Sequence, residues 1–225
     1  MFKLLVPLFF AAASFAAPTS CDVSYAVVDA PPGSSLAPPT HPVSFIALGV
    51  GTQNYTCSDT GTYTSVGALA ELFDVSCLYG TKFFSGITSD AFALWHAAPP
   101  SISAPSVVEF LHTFKNPAVL GEHYFIVNPV TGTGTSPKWD FTSHAFSGNP
   151  DAFMVGAKVS SLAAPTGPSD VDWLQLSNVA GSLADEIYRT DTRGGQPPAS
   201  CIPGSNPITV KYTSLYWLAG GSIKV

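Results

Sequence analysis

The chain has 225 residues, 46% of them hydrophobic and only 11% charged, with a formal net charge of −6. That length is enough to bury a full core within a single domain. The basic residues are too dispersed for a phosphate-backbone surface: the closest pair, Arg189 and Arg193, sits among Asp185, Glu186 and Asp191, so nucleic acid is excluded as a partner.

Residues 1–16 read as a secretory signal peptide. Lys3 precedes an apolar run over 4–15, and Ser14-Phe15-Ala16 supplies the small-x-small pattern, placing cleavage after Ala16. The run is too short for a stable membrane anchor, and no other segment is a membrane candidate. A secreted, extracellular protein is expected, with no membrane partner. In an oxidising compartment the four cysteines, Cys21, Cys57, Cys77 and Cys201, read as two disulfides. Three pairings are open. Cys57 with Cys201 is favoured, since it closes the longest loop around the core and leaves Cys21 to tie the N-terminus to Cys77. The absence of C-x-x-C, and of any His at ligand spacing from a Cys, argues against a metal site.

Residues 17–42 form a Pro-rich lead-in, with Pro31, Pro32, Pro38, Pro39 and Pro42, that cannot join a central strand. The single domain then runs over 43–225. Strand-like runs follow at 43–50, 53–57, 91–97, 107–114, 123–127, 153–159, 171–176, 186–192 and 208–218. In the last of these Ile208, Val210, Tyr212 and Tyr216 alternate with Thr209, Lys211 and Thr213, the period of a half-buried antiparallel strand. Only 66–73 has a helical pattern, with Ala68, Leu69, Leu72 and Phe73 on one face. The fold class is therefore all-β, a single-domain antiparallel β-sandwich or barrel with at most one short helix.

Gly49-x-Gly51-x-x-Asn54 follows an apolar strand and resembles the opening of a dinucleotide-binding unit. The resemblance fails on what comes next. Thr52 to Gly61 is β- and turn-forming where a helix N-terminus would have to supply the phosphate donors, and no βα alternation follows. The two glycines instead predict a bulge or a close-packing position. Asn54-Tyr55-Thr56 is a glycosylation sequon, which predicts an exposed, glycosylated Asn54.

Taken in order, Gly49-x-Gly51-x-Gln53-x-Tyr55-x-Cys57, Gly121-x-His123-Tyr124, Trp139, Tyr188-Arg189-x-x-Thr192-x-Gly194-Gly195-x-Pro197-Pro198-x-x-Cys201 and Val210-x-Tyr212-x-x-x-Tyr216 resemble the secreted fungal and bacterial proteins grouped as domain of unknown function 3455. The resemblance spans 43–218. It implies a signal peptide and a secreted location, and carries over no catalytic residue. Some members bear the automatic name malate dehydrogenase, which nothing in this sequence supports. The bacterial pattern places a Gly-Pro and a Trp soon after the His-Tyr pair, whereas here 125–138 intervenes with a Gly- and Thr-rich loop.

No nucleophile elbow, zinc-binding His pair or Ser-x-x-Lys is present. The best catalytic constellation is Glu122-His123-Tyr124 with Asp140 and His144, in which two imidazoles and a carboxylate, His123, Asp140 and His144, could serve a hydrolase with or without a metal. His123 also has a plainer reading as a strand histidine satisfied by a local partner. Arg189 is a candidate for holding a ligand carboxylate, against a structural pairing with Asp172, Asp185 or Asp191. Trp139, between Lys138 and Asp140, is the candidate exposed stacking platform, with Tyr124 beside it; Trp173 and Trp217 are expected in the core. The leading expectation is a monomeric, non-enzymatic extracellular protein that binds a cell-wall polysaccharide, a small ligand or a host surface, with no metal and no cofactor.

Overall fold

The computed structural model describes residues 21–113 and 116–223. The signal peptide expected at 1–16 lies outside the described residues. Strands β1 (Val43–Cys57), β2 (Tyr63–Asp74), β3 (Val119–Val127), β4 (Thr135–Asp140), β5 (Phe153–Leu162), β6 (Trp173–Ala180), β7 (Glu186–Gly194) and β8 (Ile208–Ala219) follow one another around a barrel. Each pairs antiparallel with the next, and β8 returns to pair with β1, so the sheet has no open edge. The chain is all-β in class.

Alternation along each strand assigns the two faces. Phe45, Ala47, Leu72, Trp139, Tyr216 and Leu218 fill the interior. Ile46, Leu48, Leu215 and Trp217 point outward, where Val23 and Val28 of the N-terminal arm cover them. One end of the barrel is plugged by Phe45, Phe141 and Phe146, the first two meeting edge to face at 5.4 Å. Helices α1 (Ile87–Ala97) and α2 (Ala104–Thr113), both in the β2–β3 connection, lie against the outer wall. Trp95 of α1 donates its indole N–H to the Gly51 carbonyl (2.7 Å), and Lys211 Nζ caps the helix on the Trp95 and Ala98 carbonyls at 2.8 and 2.7 Å. Both disulfides form as favoured from the sequence, Cys21 with Cys77 and Cys57 with Cys201.

Several local expectations are overturned. The run at 91–97 falls in α1, and the described part of the run at 107–114, residues 107–113, falls in α2. In α2 the residues turned inward, Ala104, Val107, Val108, Leu111 and His112, recur at helical spacing, a period hidden by the β-branched and aromatic composition. Conversely, 66–73 belongs to strand β2. Its inward residues Ala68, Ala70 and Leu72 and its outward residues Leu69, Glu71 and Phe73 are alike poorly exposed because other elements cover the outer face, so no clean alternation shows. Runs 43–50 and 53–57 are one strand. Gly49 is a close-packing position within it: a Cβ there would lie 2.6 Å from the Tyr216 ring. Asn54 is half-buried and accepts a hydrogen bond from the Thr52 hydroxyl at 3.2 Å, which departs from the exposed position expected of it.

Candidate functional site

The interior of the barrel changes character along its axis. Beyond the aromatic plug, the strands place His123 (β3), Trp139 (β4), Arg189 (β7), Tyr212, Ser214 and Tyr216 (β8) and Gln53 and Tyr55 (β1) on inward faces. His123 and Trp139 are cross-strand partners, and their rings stack at 4.5 Å with a 17° tilt. Tyr216 meets both rings, at 5.3 and 5.5 Å. Small residues make this possible. Gly49 leaves room for Tyr216, and a Cβ on Gly156 would come within 3.1 Å of the Trp139 ring.

Burial pushes the His123 pKa down to about 3, so the imidazole is neutral at physiological pH. Its Nδ1–H donates to the Lys138 carbonyl at 2.9 Å, which leaves Nε2 as the lone-pair nitrogen. Tyr55 donates to the Gly195 carbonyl at 2.8 Å, and the Tyr212 and Tyr216 hydroxyls share a hydrogen bond at 3.0 Å. Three buried groups are left over: Trp139 Nε1, Ser214 Oγ and Gln53 Nε2 close no hydrogen bond. The Gln53 side chain does lie close enough to bear on the Tyr212 hydroxyl. Orphaned polar atoms are scarce in folded interiors, and a water, an ion or a ligand is among the ways they are satisfied.

Arg189 supplies charge to this cluster. Its Nε and Nη2 both donate to the backbone carbonyl of Asp172, at 3.1 and 2.8 Å. Among the described residues no carboxylate lies within ion-pair distance of it. The structural pairing weighed for it with Asp172, Asp185 or Asp191 is therefore a contact with the Asp172 backbone carbonyl, and the Asp172 carboxylate acts only from farther off, on the same Tyr55 hydroxyl as Arg189 does.

The catalytic constellation expected from sequence does not assemble. Asp140 follows Trp139 in β4 and so points out of the barrel, on the opposite side of the sheet from His123. There it joins Tyr124 and Lys138: Lys138 Nζ lies 2.6 Å and the Tyr124 hydroxyl 2.7 Å from Oδ2, while the Thr142 hydroxyl donates to Oδ1 at 2.6 Å. Burial would raise the Asp140 pKa, but these three donors outweigh it and hold the carboxyl below its ordinary value. Lys138 is correspondingly raised, its burial outweighed by Asp140 and Tyr124. Such a closed ion pair is a structural clamp between β3 and β4. His144 lies in the turn after β4, its ring 5.2 Å from that of His112. Trp139 is 1% exposed, so it is no surface platform. Trp173 and Trp217 are in the core as expected, 6% and 2% exposed.

A second cluster escaped the sequence. Glu71 of β2, opposite Glu122 of β3, is fully buried beneath α2, with His112 Nε2 at 3.1 Å from Glu71 and Nδ1 at 3.6 Å from Glu122. Burial, and then the charge of Glu122, push the Glu71 pKa up to about 8. Glu71 was hidden because its strand has a helical pattern and His112 because its helix has a strand-like composition.

A family model described as Protein of unknown function (DUF3455) matches residues 38–220. The chain belongs to this family. The DUF3455 match takes in all eight strands, both helices and every residue of the interior cluster. Neither the comparison with curated proteins nor that with solved structures finds a match.

Proposed function

We propose that this DUF3455 protein is a secreted, monomeric, non-enzymatic binding protein whose barrel interior receives the carboxylate of a small ligand. The observation that carries this reading is Arg189, a guanidinium on an inward face with no carboxylate within 4.0 Å among the described residues, beside the unpartnered Ser214 Oγ and Trp139 Nε1. A buried donor or acceptor left without a partner costs about 1–3 kcal/mol. A ligand carboxylate paired with Arg189 would offset such costs. The burial of Trp139 argues against a sugar-stacking surface there and so favours a small ligand over a wall polysaccharide or a host surface. Secretion is supported by two disulfides in a family chain with a signal-like leader.

The hydrolase alternative draws no support from the geometry, since the wall of the barrel separates His123 from Asp140. A dehydrogenase is disfavoured for a different reason: Gly49 and Gly51 lie mid-strand in an antiparallel barrel, with no helix N-terminus after them for a pyrophosphate.

Calorimetry on the purified protein with small carboxylic acids and their primary amides tests the reading. Acids should bind at least tenfold more tightly than the matching amides, and Arg189→Met should abolish the difference while Arg189→Lys retains part of it. Equal affinity for acid and amide, or no binding of any acid, would refute it.

A further inference from the structure

On the outer wall, the N-terminal arm and the segment after β2 enclose a cavity of about 370 Å³ above β7 and β8. Tyr79, Phe84 and Trp217 line it, three rings standing nearly perpendicular to one another with centroids 5.3, 5.7 and 5.8 Å apart. Asp29 from the arm and Asp191 from β7 also face it. The Cys21–Cys77 disulfide ties the arm that carries Asp29 to the segment that carries Tyr79 and Phe84, so two walls of the cavity are covalently joined.

Asp191 is held there by an irregularity of the strand. The β7–β8 register shifts between Thr190 and Arg193, and within the shift Asp191 has φ +50°, a left-handed conformation that residues other than glycine rarely adopt. Bulges of this kind re-aim a side chain, here toward the cavity. The Trp217 indole N–H donates to Thr190 Oγ1 at 2.8 Å, and the Thr190 hydroxyl donates to Asp191 Oδ2 at 2.7 Å. One carboxylate oxygen is thus fixed against the aromatic wall, and Oδ1 is left for another donor.

Among the described residues no Lys or Arg lies within 4.0 Å of Asp29 or Asp191. Arg193 acts on Asp191 only from farther off, its Nε bonded to Ser89 at 2.9 Å and its Nη1 to the Thr192 carbonyl at 2.8 Å. Burial chiefly, and the charge of Asp29 to a smaller degree, raise the Asp191 pKa against the Thr190 hydrogen bond and the more distant Arg193.

We propose that this cavity binds a small organic cation, an alkylammonium or quaternary ammonium group. Ring faces attract such a cation through their quadrupoles, the two carboxylates supply the counter-charge, and the volume falls in the range of small-molecule sites. A divalent metal fits poorly, because six or more oxygen ligands would be needed and Asp29 and Asp191 are the only carboxylates among the lining residues.

Calorimetry with choline and with its neutral isostere 3,3-dimethyl-1-butanol tests the proposal. Choline should bind at least tenfold more tightly than the alcohol. Asp191→Asn keeps the tolerance for left-handed backbone and the acceptor for Thr190, and should weaken choline binding at least tenfold with an unchanged Tm. Asp29→Asn, on an exposed side chain, should weaken it as well and serves as the readout if Asp191→Asn does not fold. Equal binding of choline and the alcohol, no choline binding, or wild-type affinity in a folded Asp191→Asn or Asp29→Asn protein would overturn it.

Discussion

Glu71 is the residue whose burial bears most directly on how the folded chain responds to pH. Its carboxyl titrates near 4.5 when unfolded and at about 8 when folded, so the folded state holds a proton that the unfolded chain has given up. The stabilisation this represents is complete below pH 4.5 and is lost as pH rises through about 8, by about 1.4 kcal/mol for each pH unit between those two values. In the protonated state the carboxyl O–H donates to His112 Nε2, whose own pKa burial lowers, so the pair is neutral near pH 7. Glu71→Gln keeps the shape and removes the titration. Urea unfolding of this variant should show a smaller loss of stability between pH 5 and pH 9 than the wild type does; an unchanged slope would mean that Glu71 is ionised in the fold. Asp140 acts in the opposite sense, its lowered pKa giving stability that is present above its unfolded value of 3.8 and lost as pH falls below it. Trp139 belongs to the same scale. It fills the barrel between His123 and Tyr216, so Trp139→Ala should destabilise by about 3–5 kcal/mol, read as a fall in the urea midpoint.

Among elements, the hairpin of β1 and β2 and the connection entering β8 are joined by Cys57–Cys201, which spans 144 residues of sequence. Cross-linking so long a segment removes much unfolded-chain entropy, and the double variant Cys57→Ser/Cys201→Ser should lose about 2–5 kcal/mol in chemical denaturation with the m-value increased. Helix α1 depends on a residue from another element: Lys211 of β8 caps its last carbonyls and lies 4.4 Å over the Trp95 ring. Lys211→Met should cost about 1.5–3 kcal/mol, the range for a charge-assisted hydrogen bond, and lower the helical signal in circular dichroism. Both helices sit in segments whose composition predicts strands. Composition was a poor guide because β-propensity records packing on a half-buried surface, and α2 meets that description as a helix laid on the barrel wall.

For the whole molecule, closure of β1 onto β8 gives every strand two neighbours, and native-state hydrogen exchange should reflect it. Amides of β1 and β8 should exchange only with global unfolding, while those of α2, exposed on its outer side, should exchange through local opening. Much of this architecture was legible in residues. The alternation in 208–218 marked β8, the four cysteines favoured the pairing that forms, and the family pattern spanned the same strands. Arg189 and Trp139 were singled out, yet their roles could not be read, because which face a strand residue occupies depends on register and closure. The sequence by itself determined the β class, the family and the even cysteine count that reads as two disulfides, since these rest on local composition, spacing and order. Only the tertiary structure decided that Trp139 points into the barrel and Asp140 out of it, that Arg189 meets the Asp172 backbone carbonyl, and that Asp29 and Asp191 line one cavity with three aromatic rings. Which way Trp139 and Asp140 point depends on strand register, where a slip of one residue would exchange the two faces, and the meeting of Asp29 with Asp191 depends on contacts between segments far apart in the chain.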